Sequence, residues 1–292
     1  MLAPQGTAVM LVKVGRQGRV STGMKRLHLF EIEDQDWCPR SVRDAATDYL
    51  QCFFVATRTY AAMIPILAAV LQRTGSRRIL DLCSGSAGPW LWLHPALAEK
   101  GVSVSVCLTD KYPNLEGFER ASRLTNQVIS HHPQPVDPTQ VPGDLHGFRT
   151  MFSAFHHFRP EQACAVLADA VRNRQGIGVF EATQRRPWML LFTLLAPLGV
   201  LVVTPFIRPF RWSRLLWTYL IPLVPLITLF DGLVSCLRTY SVRDLHDLTT
   251  KLGANDYHWD IGTVRSNKTP MPITYLLGVP IEKATKSAPA PS

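Results

Sequence analysis

Three acids, one turn of small residues and a pair of adjacent histidines carry the chemistry that can be read from this chain. In Ile79-Leu80-Asp81-Leu82-Cys83-Ser84-Gly85-Ser86-Ala87-Gly88-Pro89, an apolar run ends on a carboxylate and passes through residues with little side chain to a proline suited to a helix start. Small residues let a backbone approach a ligand closely, and a helix entrance offers free N–H groups, so this segment suits a nucleotide-like ligand. Asp110 closes a second apolar run, and Asp137 follows Pro135-Val136. His156-His157 stand directly after a further apolar run and would serve as a general base for a hydroxyl; the plainer alternative is a turn with one ring packed on Phe155 or Phe158. Glu181 ends another such run, where it either binds substrate or caps the next segment. Asp231, Arg238 and Tyr240 are substrate-binding candidates, with Arg238 suited to an anionic group. An ion pair between Asp231 and Arg238 is the alternative.

The elements that position these groups follow from periodicity. Pro39 to Leu71 repeats apolar residues at helical spacing and predicts two helices, stopped at Thr74-Gly75. Arg78–Leu82, Val102–Thr109, Thr150–Phe155 and Ile177–Glu181 read as strands, separated mostly by helices. One helix is well marked by Pro160 and Glu161 in its first turn and by the apolar face Ala163, Val166, Leu167, Ala170 and Val171, with Gly176 as its stop. Such alternation predicts right-handed βαβ units and a parallel sheet. Asp256–Arg265 and Pro272–Val279, joined by Ser266-Asn267-Lys268-Thr269-Pro270, predict a closing hairpin. Ser241-x-x-Asp244 reads as a helix cap.

Together these features resemble the class I S-adenosylmethionine-dependent methyltransferases, whose first motif runs acid-x-Gly-x-Gly-x-Gly; here Cys83 and Ala87 stand in for the outer glycines and Gly85 keeps the centre. The resemblance spans roughly residues 78 to 279. It implies an α/β fold with a mostly parallel seven-stranded Rossmann-like sheet closed by an antiparallel hairpin. S-adenosyl-L-methionine is the implied cofactor, held by Asp81, Cys83, Ser84, Gly85, Ser86, Ala87, Asp110, Asp137 and Ser153. In that scheme Asp110 accepts from the ribose hydroxyls, Asp137 from the adenine amino group, and the fourth strand lies near the transferred methyl. A dinucleotide-binding domain is the nearest rival, because Cys83-x-Gly85-x-x-Gly88 imitates its glycine motif, but it has no use for Asp81 and does not predict the hairpin.

After Glu181 the family pattern needs only a short connection, yet residues 187–230 form an apolar insertion. Trp188–Ile207 and Leu215–Phe230 carry no charge, and Pro197, Pro205, Pro222 and Pro225 are expected to break any long helix. Strands on either side belong to one sheet, so an odd number of membrane crossings is excluded. The expected form is a helical hairpin dipping into one leaflet, with Arg208, Arg211 and Arg214 reaching phosphates and Trp188, Trp212, Trp217 and Tyr219 at headgroup depth. A buried helical cap or a dimer interface is the alternative.

Domain organisation is then a loose tail over residues 1–25, a helical cap over 26–76, the methyltransferase domain over 77–282 and a loose tail over 283–292. Phe30–Trp37 is acidic and aromatic; it reads as an exposed loop or a lid. Six scattered cysteines without a C-x-x-C pair give no zinc site or disulfide framework, and no metal site is expected. A formal charge of +9 favours anionic surroundings; basic residues beside apolar runs suit a membrane surface and argue against nucleic acid. The expected function is methyl transfer to a lipid-like or apolar small molecule, by a cytoplasmic protein that is peripheral or monotopic at the inner face of a membrane. A soluble small-molecule methyltransferase with a buried cap and a non-catalytic, membrane-anchored cofactor-binding protein are the alternatives. Oligomeric state is not legible.

Overall fold

In the computed structural model, which describes residues 24–266 and 269–281, the alternating segments build one seven-stranded sheet. Its strands are β1 (Arg78–Asp81), β2 (Ser105–Leu108), β3 (Ile129–His131), β4 (Phe148–Phe152), β5 (Ile177–Glu181), β6 (Tyr257–Ser266) and β7 (Thr269–Pro280). The order is β3-β2-β1-β4-β5-β7-β6. The first five strands run parallel, and β7 lies antiparallel to both β5 and β6. Ten helices join them: α1 (Arg40–Thr57), α2 (Ile64–Thr74), α3 (Trp90–Ala98), α4 (Leu115–Leu124), α5 (Pro160–Arg172), α6 (Pro187–Thr193), α7 (Ala196–Val203), α8 (Trp212–Leu215), α9 (Leu223–Arg238) and α10 (Val242–Leu252). Most of the expected loose tails, and Asn267-Lys268 of the hairpin turn, lie outside the described residues.

Alternation along each strand divides the core in two. Ile79, Val106, Phe148 and Phe180 face a cluster with Leu67, Trp90 and Phe118, whereas Leu80, Cys107, Met151 and Val179 face one with Val166, Leu167 and Leu245. The sheet is therefore covered on both faces, as a parallel sheet must be. Gly75, in the left-handed region at φ 62°, ends α2 as its sequence position predicts. Ser241 and Asp244 form the expected reciprocal cap on α10.

Three strand expectations shift. The β3 strand is only three residues long and has no periodicity to reveal it. The second strand begins at Ser105 rather than Val102. The fourth strand ends at Phe152 because Ser153 turns into the left-handed region at φ 45°, and Phe155–His157 then form a turn of 3-10 helix. Helix α5 stops at Arg172, four residues before Gly176.

The insertion is a folded-back helical pair. Helix α7 packs against α9, which continues past Phe230 to Arg238, and both lie on α1. Gly199 permits the approach, since a Cβ there would come within 2.5 Å of the Tyr49 hydroxyl. Its prolines mark helix beginnings more than breaks: Pro197 and Pro225 fall in first turns, where their missing N–H costs nothing.

Candidate active site

The small-residue turn leaves β1 with Cys83, Gly85 and Ala87 all at positive φ, 56°, 56° and 77°. These are the three positions where the resembling motif has glycine, so the backbone keeps the motif's path despite two side chains that resist it. The acids hold that path. Asp81 is buried; its two oxygens accept from the hydroxyls of Thr150 (2.6 Å) and Ser84 (2.7 Å), and burial pushes its carboxyl up to about 6. Asp110 accepts from the backbone N–H of Gly85 and of Tyr112, 2.8 Å each, and burial raises its carboxyl too. Each Asp110 oxygen keeps a second lone pair for a ligand hydroxyl.

Beyond β4, the two histidines receive different environments. His156 is buried (2% exposed), and Glu181 accepts from both its backbone N–H (3.1 Å) and its Nδ1 (2.8 Å). A carboxylate can only accept, so the neutral ring carries its hydrogen on Nδ1 and leaves the Nε2 lone pair free. That Nε2 is buried without a hydrogen-bond partner. His157, in contrast, lies between Glu31 (2.9 Å) and Asp34 (2.8 Å). Burial lowers its basicity, but the two carboxylates outweigh burial and hold it well above the ordinary histidine range. His157 is therefore a fixed cation and no base. Burial likewise raises Glu31, while the His157 cation and Arg238 outweigh it and hold the carboxyl at about 2. Of the two histidine candidates, only His156 keeps a buried ring nitrogen without a hydrogen-bond partner.

A cavity of about 400 Å3 joins these groups. Ser84, Gly85, Ser86, Gly88 and Ser153 line it together with His156, His157 and the apolar Phe53, Phe54, Met189, Phe192 and Val203. Glu31, Glu33 and Asp231 also reach its wall, whereas no lysine or arginine does among the described residues. Several sequence-based assignments change accordingly. Arg238 is 2% exposed, and its guanidinium is spent on Glu31, Asp34 and the carbonyls of His156 and His157; it cannot hold an anionic substrate group. Tyr240 is buried, donates to the Phe158 carbonyl and lies outside the cavity wall. Glu181 orients His156 and does not line the wall. The Asp231 carboxylate accepts from the N–H groups of Ile32 and Glu33, not from Arg238. Asp137 is exposed and folded onto Thr139, although its neighbour Val136 donates to the Asp110 carbonyl.

The segment around Glu31 is only in part an exposed loop: Phe30 and Trp37 are 58% and 67% exposed, whereas Glu31 is 1% exposed and forms part of the wall. Sequence reasoning noticed its acids but had no means of pairing them with histidines more than a hundred residues away. It also missed Asp48. This buried α1 carboxylate accepts from Ser86 of the turn (2.7 Å) and from Asn114 (3.1 Å), and it pairs with Arg214 of the insertion. Arg211 pairs with Glu116 (2.5 Å) and approaches Asp48 (3.7 Å). Two of the three arginines expected at lipid phosphates therefore face inward, because a buried acid on α1 competes for them; Arg208 remains exposed. Glu31, His156 and His157 also bring possible ligand atoms within 4.8 Å of one another, a grouping that the sequence spacing does not reveal.

No family model matches the chain, and no curated protein does. Solved structures match at low identity. The methyltransferase domain of bacterial CtHen1 is 12% identical, with 76% of this chain and 99% of that one covered at a TM-score of 0.46. The plantazolicin methyltransferase BpumL, in complex with SAH, is 9% identical over 82% of this chain and 96% of that one, at 0.48. An O-methyltransferase family protein from Burkholderia thailandensis is 9% identical over 77% of this chain, which spans 57% of that protein's length, at 0.45. Such likeness concerns the course of the backbone alone. Strand order, an antiparallel seventh strand and the turn after β1 make this the class I methyltransferase fold, with an apolar helical insertion after its fifth strand.

Proposed function

We propose that the protein transfers a methyl group from S-adenosyl-L-methionine to a hydroxyl of a lipid-like or apolar small molecule at a membrane surface. The observation that carries this reading is one cavity whose lining joins the Gly85 turn, His156 and apolar side chains of the insertion. The turn fits the cofactor: Gly85 presents bare backbone, and Asp110 fixes that backbone while keeping lone pairs for ribose hydroxyls. When bound, the cofactor supplies an electrophilic methyl and a neutral thioether leaving group.

The chain's own residues supply the rest. His156 Nε2 takes the hydroxyl proton as the oxygen attacks, and the Glu181 carboxylate stabilises the imidazolium that results. Apolar walls exclude water, so alignment provides most of the acceleration. Tyr60 hydrogen-bonds Ser153 at 2.7 Å and steadies the strand end beside the cavity.

The outer face of the insertion supports membrane contact. Leu191, Leu198, Val202, Phe206, Trp212 and Leu220 are each more than half exposed. Exposed apolar surface of this extent marks an interaction site. The helical run Pro187–Phe206 is long and apolar enough to cross a membrane by length and composition. Its return through α9 onto α1 favours an interfacial position instead. A cytoplasmic protein lying at the inner face of a membrane fits this arrangement.

The test is incubation of labelled S-adenosylmethionine with separated membrane and soluble extracts, with and without a chelator. Label should enter an apolar product of the membrane extract, as an ether, and chelation should leave the rate unchanged. Cofactor binding without any transfer would support the non-catalytic alternative. Loss of transfer on chelation, restored by a divalent ion, would reassign Glu31, His156 and His157 to a metal.

A further inference from the structure

The cavity wall carries an unusual electrostatic demand. Glu31, Glu33 and Asp231 reach it together, and two of the three have their charge answered: Glu31 by His157 and Arg238, Asp231 by two backbone N–H groups. Among the described residues, no cation pairs with Glu33. Burial, then the neighbouring Asp231 and Glu31, push its carboxyl up to about 8, as expected of an acid whose charge lacks a partner.

Two further polar atoms in the same cavity are unanswered. Thr228 is 8% exposed, and its Oγ1 has no hydrogen-bond partner; His156 is 2% exposed, and its Nε2, likewise without a hydrogen-bond partner, lies 3.8 Å from a Glu31 carboxylate oxygen. A buried polar group left unsatisfied costs free energy, so unpaired groups facing one cavity indicate polar atoms of a ligand. The apolar remainder of the wall, with Phe192, Leu195 and Val203, takes the rest of that ligand.

Building on the methyl-transfer reading, we infer that the acceptor is an amphiphilic amino alcohol: its hydroxyl meets His156, its ammonium pairs with Glu33, and Thr228 takes a further head-group hydrogen bond. The wall disfavours acids for the same reason, since it sets three carboxylates against a carboxylate or phosphate, and its cation among the described residues, His157, is already paired with Glu31 and Asp34.

The test compares a long-chain alcohol, the matching vicinal amino alcohol and the matching α-hydroxy acid. Affinities are measured by calorimetry on the full chain, below the micellar concentration and without cofactor. The amino alcohol should bind about tenfold to a hundredfold tighter than the alcohol, the scale of one charge-assisted hydrogen bond, and the acid should not bind measurably. Glu33→Gln should abolish the advantage of the amino alcohol while leaving the alcohol's affinity and S-adenosylmethionine binding unchanged. Equal affinity for alcohol and amino alcohol, or binding of the acid, overturns the inference. So does a loss of cofactor affinity in Glu33→Gln, which would give that carboxylate to the cofactor. Because these measurements need no turnover, they fail separately from the methyl-transfer reading, whose failure appears as binding of the amino alcohol with no methylated product.

Discussion

The floor and the roof of the cavity are built by different rules. Its floor, Ser84 to Ser86 held in place by Asp81 and Asp110, comes from consecutive turns at the carboxyl edge of a parallel sheet, where such folds place ligands. Its roof joins Glu31–Asp34, helix α1 and the returning limb of the insertion, segments separated by about two hundred residues and tied by Glu31–Ser235, Asp231–Ile32 and Asp48–Arg214 contacts. The floor is local and holds a ligand that the fold implies. The roof is non-local, and in the proposed reading it meets the acceptor. Substitutions that fall on only one side should separate cofactor binding from acceptor chemistry, and those on the tie between them should disturb both.

The sharpest separation is expected at His156. His156→Gln removes the proposed base and should lower the transfer rate by about a hundredfold to ten-thousandfold, the range for general-base catalysis. Cofactor affinity, measured by calorimetry, should stay unchanged. A rate within a few-fold of the parent would remove His156 from the chemistry and leave alignment alone to account for transfer.

Arg214 tests the tie. Its side chain is 3% exposed and that of Asp48 8%, so Arg214→Met leaves a buried carboxylate with only the more distant Arg211. Loss of one partner from a buried pair typically costs about 3 to 5 kcal/mol. Chemical unfolding should show that loss, and cofactor affinity should fall with it, because Asp48 also holds Ser86 of the turn. Asp48→Asn combined with Arg214→Met should recover much of the stability. Equal damage in the single and double variants would mean that the guanidinium acts by packing and not by charge.

On the floor, Asp110→Ala should weaken S-adenosylmethionine binding by about 1 to 3 kcal/mol, the scale for a lost charged acceptor. The variant should keep the acceptor affinities, since Asp110 touches none of the roof. An unchanged cofactor affinity in a folded variant would displace the ligand from the Gly85 turn.

These contrasts also explain what the sequence could reveal. Asp81, Gly85 and Asp110 are legible because strand, turn and acid follow one another within a few residues, and their order along the chain repeats the order of the sheet. The hairpin is legible from two apolar runs and the turn between them. His156 and His157 are visible as a pair, but only folding gives one a carboxylate on Nδ1 and the other two flanking acids. Arg238 and Tyr240 look like pocket residues because they follow the insertion; α9 turns them inward to brace the histidine turn instead. Arg211 and Arg214 look like lipid contacts because nothing near them in sequence is acidic. Their partner Asp48 lies on the far side of the domain sequence.

A further expected effect concerns Glu33 and pH. Its carboxyl moves from an ordinary 4.5 to about 8 in the folded protein, so the folded state binds this proton more tightly than the unfolded chain does. Between those values the unfolded chain has already lost the proton, and stability falls as pH rises; above about 8 the cost is fully present. Glu33→Gln carries no such proton. The two proteins should therefore unfold at similar temperatures near the acid end of the window, with the variant gaining on the parent as pH rises through it. Asp231, raised by burial from 3.8 to about 6, and His157, held above its ordinary range, both bring a fall with rising pH and remain in the variant. Its curve should be flatter, not flat. Glu31, held at about 2, acts only below this window. A saturating amino alcohol should flatten the parent's curve in the same way, because an ammonium beside Glu33 stabilises the carboxylate and lowers its proton affinity. A constant gap in unfolding temperature between the two proteins from acid to alkaline pH would show that Glu33 carries no displaced proton, and the roof would then lose its unanswered charge.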